Sequence, residues 1–283
     1  MATFTNQATL IYNGQTTTSN VTTGELLSGL ILTKSAITTS YDRDGRVAYI
    51  VTIANTGAAI TNATLTDDLG AYAFGAGTLY PLTCVPGSLL FYQNGTLTTG
   101  PVAAGGPPLT ITGIDIPAGG NVQLIYEAEV NEYAPLTAGS TLTNTATISG
   151  GGIADPLSDT ATVTVDEDVA LTIAKAICPS TVSDNGTLTY TFIIQNLGNE
   201  EVVATDNLVV QDIFNPILNP ITVTYNGTVW TENVEYTYDD ATGSFASLPG
   251  NIAVPAATYT QNPVTGVFST VPGVAIITIS GTV

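Results

Sequence analysis

Leu32–Gly57 reads LTKSAITTSYDRDGRVAYIVTIANTG, and Ile173–Gly198 reads IAKAICPSTVSDNGTLTYTFIIQNLG. Lys34 and Lys175, Gly45 and Gly186, Tyr49 and Tyr190, Asn55 and Asn196, and Gly57 and Gly198 stand at one spacing of 141 residues (175 − 34). Self-similarity at a fixed spacing marks a repeated structural unit. Within each copy, apolar and polar residues alternate in short runs bounded by Gly, Pro, Asn and Asp, the pattern of strands joined by turns. No long stretch carries helical periodicity.

Outward from this block the copies continue to match. TLTDD at Thr64–Asp68 answers LVVQD at Leu208–Asp212 after a three-residue insertion. FYQNG, ending at Gly95, answers TYNG, ending at Gly227, and each Asn-Gly pair is a hairpin-turn signal. PAGGNVQLIYEAEV at Pro117–Val130 answers VPGVAIITISGTV at Val271–Val283. The expected architecture is all-β: two tandem sandwich domains over residues 27–165 and 166–283, preceded by a separate segment over residues 1–26.

That first segment follows from a mismatch between the copies. The first copy continues into STLTNTATISGGGIADPLSDTATVTV, Ser140–Val165, which reads as two closing strands. The second copy stops before any such strands, but the chain opens with ATFTNQATLIYNGQTTTSNVTTGEL, Ala2–Leu26. Ala2–Leu10 aligns without a gap on Ser140–Ile148, sharing Thr3/Thr141, Thr5/Thr143, Asn6/Asn144, Ala8/Ala146 and Thr9/Thr147. A sandwich short of closing strands exposes unpaired backbone groups and an apolar groove. The expectation is a donor strand with Phe4, Asn6, Ala8, Leu10 and Tyr12 on one face. Carried at the front of one chain, it completes the second domain of the next by strand addition. A head-to-tail contact that does not close on itself makes a filament. The competing reading is an ordinary first strand of the first copy, matched through Thr-rich composition.

Lys34 and Lys175 are the only lysines. Alternation puts Leu30, Leu32, Lys34 and Ala36 on one face, and Leu171, Ile173, Lys175 and Ile177 on the equivalent face, both turned inward. A buried ammonium is costly unless paired or neutralised. Inward Lys, inward Asn and a nearby carboxyl are the ingredients of a Lys–Asn isopeptide bond, because burial frees the amine as a nucleophile and keeps the carboxyl protonated. One candidate is Lys34 with Asn144 and Asp68 inside the first copy. The other is Lys175 and Asp212 with Asn6 of the next subunit. The alternative is a buried Lys–Asp ion pair with Asn as a hydrogen-bonding bystander.

Four Lys plus Arg stand against 23 Asp plus Glu, for a net charge of −19. Such a surface repels nucleic acid and anionic membranes. No apolar run approaches a membrane span, and no secretory signal is visible in MATFTNQATL. There is no histidine, which removes Ser-His-Asp and Cys-His catalysis and His-ligated metal sites. No glycine-rich phosphate loop is present, so an enzyme is the weak hypothesis and no cofactor is expected. Asp166, Glu167 and Asp168 match no complete calcium loop and read better as solvated turn residues than as a Ca²⁺ site. Cys84 and Cys178 are too few for a disulfide framework; free thiols, a contact between subunits and an internal bridge all remain open.

The run Lys…Gly-x-x-x-Tyr-x-Val-x-Ile-x-Asn-x-Gly, followed by TDD or VQD and the closing strand LTNTATI, resembles the bacterial and archaeal surface-protein repeat called domain of unknown function eleven. It does so over Leu30–Asp68 and again over Leu171–Asp212. The resemblance implies an immunoglobulin-like sandwich, a non-enzymatic role and an extracellular place on a cell or spore surface. The family's first-strand Lys, strand-end Asp and last-strand Asn fall on Lys34, Asp68 and Asn144, and on Lys175 and Asp212. The expected function is a self-associating fibre subunit, pilus-like or of the spore-appendage kind, with a stalk or adhesin module of a larger surface protein as the alternative.

Overall fold

The computed structural model describes residues 2–26 and 29–283, with backbone alone for Ala2, Thr3, Phe4, Glu25 and Leu26. The chain opens with β1 (Ala2–Asn6), β2 (Thr9–Tyr12), β3 (Gln15–Thr18) and β4 (Thr22–Leu26). β1 pairs antiparallel with β4, and β2 with β3. Together they form one long hairpin. At its tip Asn13 and Gly14 both take positive φ, 47° and 74°. A type I′ turn needs that conformation at both central positions, which explains the Asn-Gly pair. Between the pairs Asn6–Thr22 and Thr9–Thr18 the outgoing side carries Gln7 and Ala8, and the return side Ser19, Asn20 and Val21. The extra residue makes a bulge on the return strand. Residues 5–23 are exposed, and among the described residues the hairpin strands pair only with each other.

The first sandwich runs through β5 (Leu30–Ala36), β6 (Ser40–Tyr41), β7 (Arg46–Asn55), β8 (Ile60–Asp67), β9 (Tyr72–Phe74), β10 (Gly77–Leu79), β11 (Leu82–Cys84), β12 (Leu90–Gln93), β13 (Thr96–Thr98), β14 (Val102–Ala104), β15 (Leu109–Ile116), β16 (Asn121–Val130), β17 (Thr141–Gly150) and β18 (Leu157–Val165). One sheet has the order β13-β12-β16-β7-β5, with β11 also on β16; the other is β14-β15-β8-β17-β18-β6. Strict alternation drives the inner faces together. Tyr49, Val51, Ile53, Leu65, Ile111, Leu124, Tyr126, Ile148 and Val163 are all fully buried between the sheets.

The second sandwich runs through β19 (Leu171–Cys178), β20 (Thr187–Asn196), β21 (Gln211–Ile213), β22 (Ile221–Tyr225), β23 (Thr228–Val229), β24 (Tyr236–Asp239), β25 (Ser244–Ser247), β26 (Thr258–Gln261), β27 (Phe268–Val271) and β28 (Gly273–Thr282). Its main sheet, β19-β20-β28-β22-β23, repeats the order β5-β7-β16-β12-β13. Its second sheet, β21-β25-β24, repeats only β8-β15-β14. Among the described residues nothing takes the place of β17, β18 and β6. Phe192, Ile194, Phe214, Trp230, Phe245, Ile277 and Ile279 form the core.

By chain contacts the molecule divides into two compact units. One takes the residues up to Ala134 together with Thr141–Thr164, and the other takes Pro135–Ser140 and Val165–Val283. No helix among the described residues is long and apolar enough to cross a membrane.

Alternation along the strands sets a measurable contrast. Ile53→Ala removes a fully buried side chain and should destabilise the first unit by about 2–5 kcal/mol in urea denaturation. Ile276→Ala, on an outer face, should cost less than about 1 kcal/mol.

Candidate functional site

Lys34 extends from β5 into the first core with its side chain wholly buried, and its Nζ lies 2.5 Å from Asp67 Oδ2. Asp67 is also fully buried and accepts a short hydrogen bond from the Tyr126 hydroxyl on β16. Its Oδ1 accepts from the Leu69 backbone N–H at 3.0 Å. The Lys34 ammonium stands 4.7 Å from the centre of the Tyr49 ring. Burial lowers the Lys34 pKa against the opposing pull of Asp67, which favours the neutral amine more than in water. Burial, reinforced by Asp67, pushes the Tyr126 phenol well up, so it remains a donor.

The carboxylate that meets Lys34 is Asp67, not Asp68 as the repeat alignment suggested. β8 turns Ala63, Leu65 and Asp67 inward, so Asp68 falls beyond that face. Asp68 Oδ1 instead accepts from the backbone N–H groups of Thr145 at 2.8 Å and Gly70 at 3.0 Å, tying β17 to the turn after β8. With Asp67 and Asp212 as the equivalent residues the spacing is 145 (212 − 67), so the insertion in the second copy is four residues rather than three.

Asn144 on β17 is fully buried beside this centre. Its Oδ1 accepts from Gly70 N–H at 3.3 Å, one residue beyond the Leu69 N–H that holds Asp67. Among the described residues its Nδ2 and the Tyr49 hydroxyl are both buried and interact with each other, but neither makes a well-formed hydrogen bond. Buried polar atoms are nearly always well satisfied, so a pair this loosely bonded beside one lysine marks the place as chemically unusual.

The second copy repeats half of this arrangement. Lys175 Nζ contacts Asp212 Oδ2 and lies 4.3 Å from the centre of the Tyr190 ring, which stacks on Phe214 at 4.9 Å. The Tyr126 position is taken by Ile279, since Tyr49 faces Tyr126 and Tyr190 faces Ile279 across equivalent ladders. Sequence reading missed Tyr126 for that reason: the other copy carries no tyrosine there. Lys175 was expected inward and buried, but 38% of its side chain is exposed, and 21% of that of Asp212. The cause is the missing cover. Leu30 and Leu32 on β5 are 7% and 8% exposed, whereas Leu171, Ile173 and Ile177 on β19 are 38%, 58% and 46% exposed. The free edge of β21 borders the same opening, because among the described residues β21 pairs with β25 alone.

The other residues of the expected donor face sit on the hairpin. Asn6, Ala8, Leu10 and Tyr12 are exposed there, and the side chain of Phe4 lies outside the described residues. Asp166 and Asp168 give backbone, not carboxylates, to their neighbour: Asn199 Nδ2 donates to Asp166 O at 2.8 Å, and Asp168 N–H donates to Asn199 Oδ1 at 2.9 Å. No group of three metal-ligating side chains occurs among the described residues. Cys84 is half-buried, with its thiol pKa raised by burial, and Cys178 is exposed; both are free thiols.

The two lysine–aspartate pairs should respond differently to loss of the acid. Asp67→Ala leaves an unpaired buried ammonium and should cost about 3–5 kcal/mol in chemical denaturation. Asp212→Ala, in a part-exposed pair, should cost about 1 kcal/mol or less.

No family model matches the chain, and no curated protein matches it by sequence. Among solved structures it is similar to the full-length major pilin SpaD from Corynebacterium diphtheriae, at 10% identity and a TM-score of 0.35, covering 86% of this chain and 59% of that one. It is similar to BcpA, the major pilin subunit of Bacillus cereus, at 14% identity and a TM-score of 0.36, covering 96% and 73%. It is also similar to the collagen-binding subdomain of the Enterococcus faecalis surface protein ACE, at 10% identity and a TM-score of 0.30, covering 51% and 100%. At these identities and TM-scores the likenesses assign neither function nor site residues to this chain.

Proposed function

We propose that the chain is the repeating subunit of an extracellular fibre at a cell or spore surface. The N-terminal segment of one subunit completes the second sandwich of the next. One observation carries this reading: β19 exposes the face that β5 buries, beside an unpaired β21 edge, in a chain that also bears a free copy of β17. In the first sandwich β17 pairs with β8 from Ala146–Asp67 to Gly150–Ala63. By the repeat alignment, Ala8 then faces Asp212, Thr9 faces Gln211 and Leu10 faces Val210. Ala8 and Leu10 cover the apolar groove, and full burial of such side chains contributes about 1.5–3 kcal/mol each for the larger ones. The backbone of the donor satisfies the edge of β21. A net charge of −19 keeps free subunits apart until this contact forms.

The lysine centres lock the assembly. In the first sandwich the neutral Lys34 amine attacks Cγ of Asn144. The Nζ–Cγ bond forms, the Cγ–Nδ2 bond breaks, and ammonia leaves carrying one proton from the amine. Asp67, held by Tyr126, relays that proton. The loosely held Asn144 Nδ2 supports this role, since its departure breaks no well-formed hydrogen bond and only a contact with the Tyr49 hydroxyl. In the second sandwich, Lys175 and Asp212 await Asn6 of the neighbour. Seating the donor excludes water from Lys175 and brings it to the condition Lys34 already has.

Negative-stain imaging tests the fibre: the intact chain should form filaments, and deletion of residues 2–26 should abolish them. Monodisperse monomers from the intact chain would overturn the proposal in favour of a stalk module within a larger surface protein. Intact mass tests the internal bond. The chain should weigh one ammonia less than its sequence, and Asn144→Ala should restore the full mass. Filaments should resist boiling in detergent, whereas Asn6→Ala filaments should fall to monomer.

A further inference from the structure

We propose that the occupant of the open groove is the whole hairpin Ala2–Leu26, both strands of it, and that its return strand pairs with Ser180–Val182 of the acceptor. This rests on the fibre reading above and assigns that contact a second ladder.

Three observations carry it. First, the closing element of the first sandwich is itself a hairpin. β17 pairs with β18 from Thr141–Thr164 to Ile148–Leu157, and the two enter the sheet together. β17 lies on β8, β18 lies on β6, and Thr164 N–H donates to Thr39 O at 3.0 Å. Second, the N-terminal segment has the same form. Phe4 faces Gly24 and Asn6 faces Thr22, where Leu142 faces Val163 and Asn144 faces Ala161. Third, the second sandwich keeps a place for β18. Thr181 and Val182 occupy the repeat positions of Ser40 and Tyr41, and the chain around them is shaped alike. Bends at residues 37–39 recur, one residue later than the repeat spacing, at 179–181. Gly45 N–H donates to Asp42 O as Gly186 N–H donates to Ser183 O. Asp44 and Asn185 take positive φ, 58° and 64°. Only the ladder is missing: Ser40–Tyr41 is a strand against β18, and 181–182 is not a strand. A preserved bend with no partner strand is a seat for one.

The register is specific. Thr3 faces Glu25 as Thr141 faces Thr164, so Glu25 takes the place of Thr164 and its N–H donates to O of the neighbour's Ser180. On the outgoing strand Thr9 takes the place of Thr147, opposite Gln211. Thr9 and Gln211 face each other on antiparallel strands, where Cα atoms stand about 4.5–5.5 Å apart, within disulfide range; the bond from Glu25 N–H to Ser180 O brings Glu25 beside Ser180 and Thr181.

Full-length chains carrying Cys84→Ser, Cys178→Ser and Asn6→Ala provide a background free of other covalent links between chains. Thr9→Cys with Gln211→Cys reports the outgoing strand, and Glu25→Cys with either Ser180→Cys or Thr181→Cys reports the return strand. After mild oxidation both pairs should give ladders of multimers on non-reducing gels, collapsing to monomer with reductant. A ladder from the first pair alone overturns the two-stranded donor and leaves the fibre standing. A ladder from the second pair alone overturns the proposed register. No ladder from either pair, or a disulfide-closed monomer, overturns both proposals.

Discussion

The ladder between β8 and β17 is the contact on which the first sandwich rests. It joins five residue pairs, from Ala146–Asp67 to Gly150–Ala63. It places β17 over the inner face of β5, so that Leu30, Leu32 and Lys34 lose their water. It also carries Asn144 into the core beside Asp67. The second sandwich lacks this ladder among the described residues, and each of its departures follows. β21 ends a three-stranded sheet, β19 is exposed along its length, and Lys175 reaches solvent. The two halves of the molecule are one fold with and without its closing contact.

That difference shows what burial does to a lysine. Both ammonium groups touch an aspartate and lie over a tyrosine ring, at 4.7 Å for Lys34 and 4.3 Å for Lys175. Only Lys34 has lost its water entirely. Its pKa falls through desolvation despite the carboxylate at 2.5 Å. A pair in that position adds little to stability, because desolvation of two charges offsets their attraction. It stands in a core otherwise filled with Ile, Leu, Val and Tyr.

Much of this was legible in the sequence, for reasons that differ by residue. The repeated Lys, Tyr, Asn and Gly positions gave two sandwiches, and strand alternation placed both lysines on inner faces. The open groove followed from comparing copies. Asp67 was misassigned to Asp68 because TDD offers two aspartates where the second copy offers one. Alternation from Leu65 points to Asp67, and the ladder agrees. Tyr126 was not legible by repeat comparison, since Ile279 stands in its place. The exposure of Lys175 depends on which strands are present in one molecule, a property of tertiary closure that no local pattern encodes. Asn13-Gly14 announced its turn plainly, because positive φ at two successive positions admits few other residues.

That turn has a kinetic meaning. A disordered arm must lose the conformational freedom of every residue it inserts, about 1–2 kcal/mol each for the backbone alone. An arm already folded at Asn13-Gly14, rich in β-branched threonine, has lost most of that freedom before any encounter. Two-stranded hairpins are only marginally stable in water, so such an arm stays adaptable while it waits. In the proposed fibre it would meet its target as a shaped body rather than as a search through conformations, and the rate of elongation would then be set by how often chain ends collide.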